Sequence, residues 1–109
     1  MSNLSNQKCA PCEGGVEPLS RAEAEIFLGQ VNGWILDDNA KQIHKDFKFK
    51  DFLEAMIFVN KVANIAEGDG HHPDIIINYN KVHLELSTHA IGGLSINDFI
   101  LASKIDIIT

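Results

Sequence analysis

Hydrophobic residues recur with a helical period in three segments of the chain, and each segment follows a capping sequence. The capping pairs are Ser20 with Glu23, Asp51 with Glu54, and Ser95 with Asp98. In such a pair the two side chains satisfy amides that the first helical turn leaves unpaired. Behind the first two pairs, the apolar residues of one helix face are Ala24, Phe27, Leu28 and Val31, then Phe52, Ala55, Met56, Val59, Val62, Ala63 and Ala66. The pattern predicts helices that end at Asn32-Gly33, at Gly68 to Gly70 and near Ile108.

Between these helices the hydrophobic period changes to two, which is typical of half-buried strands. Residues 43–49 and 81–88 alternate, and residues 34–36 and 74–78 are short apolar runs bounded by turn sequences. The order α-β-β-α-β-β-α brings the strands in adjacent pairs. It predicts an α+β fold, a four-stranded antiparallel sheet with three helices packed on one face. Residues 1–18 lack a hydrophobic period, so we expect a flexible N-terminal segment before a single domain over residues 19–109.

The charge balance narrows the classes of partner. Nine Lys and Arg residues against fifteen Asp and Glu give the 109-residue chain a net charge of −6. An acidic surface repels phosphate backbones, so we expect no nucleic-acid partner. The apolar runs fall far short of the ~18 residues of a membrane span, and no secretory signal is visible. We therefore expect a cytoplasmic protein that does not engage membranes.

Two cysteines, Cys9 and Cys12, stand in a Cys-Ala-Pro-Cys sequence near the N-terminus. This spacing suits half of a zinc site or a redox dithiol. A zinc ribbon needs a second such pair, which the chain lacks, and a thioredoxin-like motif should open a helix. We expect a reduced, exposed pair with no bound metal.

Histidine is the informative residue type, because three of the five fall where the predicted fold brings chain ends together. His71 and His72 follow the second helix and precede Pro73, while His89 follows the strand over residues 81–88. If the third and fourth strands form a hairpin, its far ends meet and bring His89 beside His71 and His72. Glu67 and Asp69 lie near the same point of the chain, and either could hold an imidazole in its useful tautomer.

Three interpretations of this cluster remain open. Three imidazoles can ligate a zinc ion, although neighbouring extended residues such as His71 and His72 point in opposite directions. Imidazoles can also perform general acid–base catalysis, for which their unperturbed pKa of ~6.5 is well matched. Finally, histidines at strand ends can be purely structural. His44 is expected on a solvated or subunit-facing edge, and His83 beside Glu85 is expected to pair with it. Capping alone would explain Asp98.

Several blocks of the chain, taken together and in order, resemble the pterin-4a-carbinolamine dehydratase family. The blocks are His71-His72-Pro73, Tyr79-Asn80-Lys81-Val82, Leu86-Ser87-Thr88-His89 and Gly93-Leu94-Ser95 with Asp98. The resemblance implies the α+β fold predicted above. It also implies a lyase that dehydrates 4a-hydroxytetrahydropterin to quinonoid dihydropterin during regeneration of the tetrahydrobiopterin cofactor.

The resemblance further implies which residues act and what they act with. His71, His72 and His89 match the family's catalytic histidines. The expected substrate-binding residues are Glu67, Asp69, Ser87, Thr88, Ala90 and Asp98. Family members need no metal or other cofactor and form homodimers or homotetramers. The alternative class is a protein-interaction module, since some members serve as dimerisation cofactors of a transcription factor.

Overall fold

The chain forms an antiparallel sheet covered on one side by helices, and the α+β prediction is confirmed. The computed structural model describes residues 4–9 and 17–109. The helices are α1 (Arg21–Leu28), α2 (Phe52–Asp69) and α3 (Ile96–Ile107). The strands are β1 (Ile35–Leu36), β2 (Ile43–Lys48), β3 (Asp74–Asn78) and β4 (Lys81–Leu86), which lie in the order β1-β2-β4-β3. None of the described helices is both long and apolar enough to cross a bilayer.

The helices begin where the capping sequences predict. Ser20 accepts from the amide of Glu23, whose carboxylate accepts from the Ser20 amide, and Ser95 and Asp98 form the same reciprocal pair before α3. Asp51 accepts from the Glu54 amide at 2.9 Å before α2. These short-range contacts set the start of each helix because they satisfy amides that would otherwise face no partner.

Two details of the helices differ from the prediction. Helix α1 ends at Leu28 rather than at Asn32-Gly33. Val31 is buried all the same, but it belongs to the turn that follows the helix and not to the helix itself. The buried face of α2 includes Phe58, which the pattern did not select, whereas Phe52 is 51% exposed and Ala63 is exposed as well. Both differences arise because contacts with the sheet and with α3, rather than periodicity alone, decide which face of a helix is buried.

The sheet buries one face and leaves the other open to solvent. Ile43 and Phe47 of β2 face the helices together with Val82, Leu84 and Leu86 of β4. The alternate residues His44, Asp46, His83 and Glu85 form what we call the open face. Strand β2 pairs with both β1 and β4, so the prediction that His44 lies on a sheet edge is wrong. His83 Nδ1 lies 2.6 Å from Oδ1 of Asp46 and its Nε2 lies 2.9 Å from Oε2 of Glu85, which confirms the predicted pairing with Glu85.

The described part of the N-terminal segment packs on the domain. Leu4 is 2% exposed, and a 3₁₀ turn over Leu4–Asn6 lies against α3. Cys9 is 7% exposed and its thiol is free, so the expectation of an exposed cysteine is wrong at this position. Cys12 lies outside the described residues.

Candidate active site

The end of α2 positions the first two histidines. Gly70 adopts a left-handed conformation (φ 66°, ψ 27°) that ends the helix, and its amide donates to Ala66. The His71 amide also donates to the Ala66 carbonyl, at 3.2 Å. A glycine suits this position because a side chain at positive φ would be strained. The turn therefore holds the backbone of His71 at a defined point beside the sheet.

The segment after β4 positions the third histidine. Strand β4 ends at Leu86, and His89 opens a short 3₁₀ turn over His89–Ile91 instead of ending the strand as predicted. Thr88 and Gly93 exchange two backbone hydrogen bonds across this turn, at 2.7 and 3.4 Å. Gly93 has no room for a side chain, because a Cβ there would lie 2.7 Å from Cβ of Pro18. The bridge thus closes a loop that carries His89 at its start.

The two segments face each other across a cavity of about 780 Å³. Residues 67–72 and 87–90 contribute most of its lining, and Lys8, Cys9 and Asn97 complete it. The three predicted histidines therefore lie around one cavity, as do Glu67, Asp69, Ser87, Thr88 and Ala90. Asp98 is fully buried and lies behind the lining rather than in it.

A buried carboxylate–imidazole pair joins one wall of this cavity to the residue behind it. The His71 ring bonds through Nε2 to Oδ1 of Asp98 at 2.6 Å, with the His71 side chain 12% exposed and that of Asp98 fully buried. Oδ2 of the same carboxylate accepts from the Thr88 hydroxyl at 2.8 Å and from the Ser95 amide at 3.0 Å. An ionised carboxylate only accepts, so Nε2 carries a proton and Nδ1 is left for the cavity. Asp98 therefore caps α3 and orients His71 at the same time.

A second carboxylate–imidazole pair lies at the surface. His72 Nε2 is 2.8 Å from Glu67 Oε2, but the two side chains are 60% and 78% exposed. Water competes for such a contact, so it holds the ring far less firmly than the buried pair does. Glu67 is one of the two carboxylates proposed as alternative partners of an imidazole, and in the structure it contacts the imidazole of His72.

The other carboxylate, Asp69, does not contact an imidazole. Its Oδ2 accepts from Nζ of Lys104 at 2.6 Å and lies 3.8 Å from the Sγ of Cys9. Of the two alternatives, Glu67 is therefore the carboxylate that contacts an imidazole, while Lys104 of α3 bonds to Asp69. Thr88 lines the cavity, and its hydroxyl is bonded to Asp98 and to Ser95.

Sequence reasoning missed three residues of the cavity wall and one contact. Lys8, Cys9 and Asn97 line the cavity, and the Cys-Ala-Pro-Cys sequence was the one signal near the first two. The contact between Asp98 and His71 spans 27 residues, and nothing in the local pattern shows it. Within the described part of the chain, no three His, Cys, Asp or Glu side chains are arranged to hold a metal ion. The zinc interpretation therefore has no geometric support among these residues.

Fold and site together define an α+β domain with a histidine-lined cavity backed by a buried carboxylate. The family model described as Pterin 4 alpha carbinolamine dehydratase matches residues 17–108. Two curated relatives carry the provisional name pterin-4-alpha-carbinolamine dehydratase. The protein from Halorhodospira halophila is 47% identical over 104 residues, covering 95% of each chain, and that from Nitrosomonas eutropha is 50% identical over 107 residues, covering 97% of this chain and 93% of the relative. This chain belongs to the pterin-4a-carbinolamine dehydratase family.

Two solved structures share the fold. A transcriptional coactivator/pterin dehydratase from Brucella melitensis superposes with a TM-score of 0.79 at 35% identity, covering 84% of this chain and 98% of that one. A pterin dehydratase-like protein identified as a RuBisCO assembly factor in the alpha-carboxysome gives a TM-score of 0.61 at 20% identity, covering 71% and 89%. The second likeness shows the fold alone. The name of the Brucella melitensis protein gives it both a regulatory and an enzymatic role.

Proposed function

We propose that this protein is a hydro-lyase that converts a 4a-hydroxytetrahydropterin to a quinonoid dihydropterin and water, in regeneration of the tetrahydrobiopterin cofactor. The observation that carries the proposal is the buried Asp98–His71 pair, which opens on a cavity also lined by His72 and His89. Membership of the family supports the substrate class.

The reaction needs two proton transfers. The C4a–O bond breaks, the departing oxygen takes a proton and leaves as water, and the N5–H proton is removed as the N5=C4a double bond forms. One proton is supplied and one is taken up, so a pair of imidazoles in opposite protonation states balances each turnover. A positioned acid or base of this kind contributes about 10²- to 10⁴-fold to the rate.

The surroundings of the histidines suggest a division of labour. We assign His71 as the base that accepts the N5 proton, because the buried Asp98 carboxylate would stabilise the imidazolium that forms. We assign His89, which is exposed and can exchange protons with solvent, as the acid that protonates the leaving oxygen. His72 then orients the hydroxyl, with Glu67 behind it.

The six expected substrate-binding residues divide into two groups. Ser87 and Ala90 line the cavity and are proposed to contact the pterin, together with Glu67 at the rim. Thr88, Asp69 and Asp98 bond to protein groups instead, so we propose that they act by holding the wall in place. Three of the six residues thus contact the pterin directly, and the other three support the residues that do.

The proposal is tested by following dehydration of a synthetic 4a-hydroxytetrahydropterin in a stopped-flow spectrometer. His71→Ala and His89→Ala should each lower kcat by about 10²- to 10⁴-fold. His44→Ala is the matched control, because His44 lies on the open face and should leave kcat unchanged. A wild-type protein that does not accelerate dehydration, or a His89→Ala variant as fast as the wild type, would contradict the proposal.

A second candidate function is a protein-interaction module, here a dimerisation cofactor of a transcription factor. Two observations favour it: the coactivator role in the name of the Brucella melitensis protein, and three exposed apolar residues at the start of α2. These residues are Phe52, Leu53 and Ile57, which are 51%, 68% and 48% exposed. A His71→Ala/His89→Ala double variant separates the two functions, since a pure binding module would retain its partner binding and biological role without the histidines.

We also propose that copies of the chain associate as a homodimer or homotetramer in the cytoplasm. Strand β3 pairs only with β4 among the described strands, so its outer edge is open, and Ile76 and Ile77 are 54% and 38% exposed. Open edges with apolar side chains favour pairing between chains. Static light scattering after size exclusion tests this, and a monomeric mass at working concentrations would contradict it.

A further inference from the structure

The short segment over residues 4–9 packs against the cavity although it lies outside the region that the family model matches. That region begins at residue 17. Leu4 is buried, and the 3₁₀ turn Leu4–Asn6 lies against α3. The segment then brings two residues, Lys8 and Cys9, to the cavity wall. It is therefore anchored at one end in the core and at the other end at the site.

Cys9 is the anchor at the cavity. Its Sγ lies 3.5 Å from the Asn97 carbonyl oxygen and 3.8 Å from Oδ2 of Asp69. Burial, with a further contribution from the Asp69 charge, raises the pKa of the Cys9 thiol to about 12. The thiol therefore stays protonated at neutral pH and remains a donor to either acceptor. These acceptors belong to the segments that carry His71 and Asp98, so Cys9 ties residues 4–9 to both.

Lys8 supplies a positive charge, whereas the other charged side chains of the lining are carboxylates and histidines. Among the described residues that line the cavity, it is the only lysine or arginine. Lys104 lies close by but is already bonded to Asp69 at 2.6 Å. An exposed ammonium group at the rim offers three N–H donors to the carbonyl and hydroxyl oxygens of a pterin.

We propose that residues 4–9 form a wall of the catalytic cavity that determines pterin affinity, with Lys8 contacting the substrate and Cys9 acting as a positioning residue. The identity of the ligand rests on the function proposed above. The wall raises affinity without taking part in proton transfer, because the side-chain contacts of Cys9 are with Asp69 and Asn97 rather than with a histidine, and an ammonium group at the rim binds oxygen atoms of the ligand. Changes here should therefore alter KM and leave kcat in place.

The kinetic test compares variants within the segment. Lys8→Met and Cys9→Ala should each raise KM for the 4a-hydroxypterin about 3- to 10-fold with kcat within about twofold, the scale of one lost hydrogen bond. Cys9→Ser retains a buried donor and should recover most of the affinity lost in Cys9→Ala. Lys61→Met is the matched control, since Lys61 is exposed on α2, outside the segment, and does not line the cavity. An active enzyme whose KM is unchanged in both Lys8→Met and Cys9→Ala would overturn the proposal and leave the dehydratase function intact.

A binding test does not depend on catalysis. In a Cys12→Ser background, the rate at which N-ethylmaleimide labels Cys9 reports how often the segment opens, because the closed thiol is buried and protonated. The probe is 7,8-dihydrobiopterin, which has no 4a-hydroxyl group to lose. At ten times its dissociation constant it should slow labelling about tenfold if it binds only the closed segment. Slowed labelling supports the wall even if the protein fails to dehydrate the substrate, whereas labelling that saturating pterin leaves unchanged overturns the proposal whatever the activity.

Discussion

Replacing Asp98 with asparagine removes one charge from the buried contact behind His71 and keeps the shape of the side chain. In the wild type both carboxylate oxygens accept: Oδ1 from Nε2 of His71, and Oδ2 from the Thr88 hydroxyl and the Ser95 amide. An asparagine has one accepting oxygen and one donating nitrogen. Its nitrogen must therefore face groups that now donate to the carboxylate.

The two orientations of the amide have different costs. If the nitrogen faces Ser95, a buried backbone amide loses its acceptor, which costs about 1–3 kcal/mol of stability. If it faces His71, the ring must accept at Nε2, so the imidazole proton moves to Nδ1 on the cavity side. A base with its lone pair turned away loses its contribution to the rate. We therefore expect kcat to fall by about 10²- to 10⁴-fold in the second orientation.

The experiment measures stability and turnover on the same preparation. Urea denaturation followed by circular dichroism gives the free energy of unfolding, stopped-flow dehydration gives kcat, and ¹⁵N chemical shifts of His71 report its tautomer. Asp46→Asn is the matched control, because Asp46 also lies 2.6 Å from an imidazole but on the open face, with its side chain 75% exposed. It should leave kcat unchanged. An Asp98→Asn variant with wild-type stability and wild-type kcat would refute the role of the buried pair.

Three further predictions concern single contacts. Glu67→Gln should change kcat less than about threefold in the dehydration assay, because its bond to His72 is solvent-exposed; a loss as large as that of Asp98→Asn would contradict this. Gly93→Ala should lower the free energy of unfolding in urea by about 1–3 kcal/mol, since the new Cβ would lie 2.7 Å from Cβ of Pro18. The pKa of His83 is raised, chiefly by its hydrogen bond to Asp46. The protonated ring therefore stabilises the fold fully below the unfolded pKa of ~6.5, and this stabilisation is lost as the pH rises through the folded pKa. His83→Gln should therefore cost about 0.5–1 kcal/mol more at pH 5.5 than at pH 9 in urea denaturation; equal costs at both pH values would show that the bonds are not charge-dependent.

Local sequence patterns predicted most of the fold because their physical causes are local. A capping pair acts over three residues, and a strand's alternation follows from the geometry of one extended segment. The starts of all three helices and the pairing of β3 with β4 follow from such signals. The predictions were wrong where packing between elements, rather than local sequence, determines the structure. The end of α1, the exposure of Phe52 and the central place of His44 each depend on a neighbouring element.

The candidate site divides in the same way. The sequence by itself determined that His71, His72 and His89 come to one end of a hairpin, because strand pairing brings its two ends together. Only the tertiary structure decided what stands behind them. Asp98 contacts His71, which is 27 residues away in the sequence. Lys104 contacts Asp69 at a separation of 35 residues, and Cys9 contacts Asn97 at a separation of 88. The first two contacts exist because α3 packs beside the end of α2, and the third because the segment over residues 4–9 packs on α3. No local pattern encodes which side chains such packing brings within a hydrogen bond of one another.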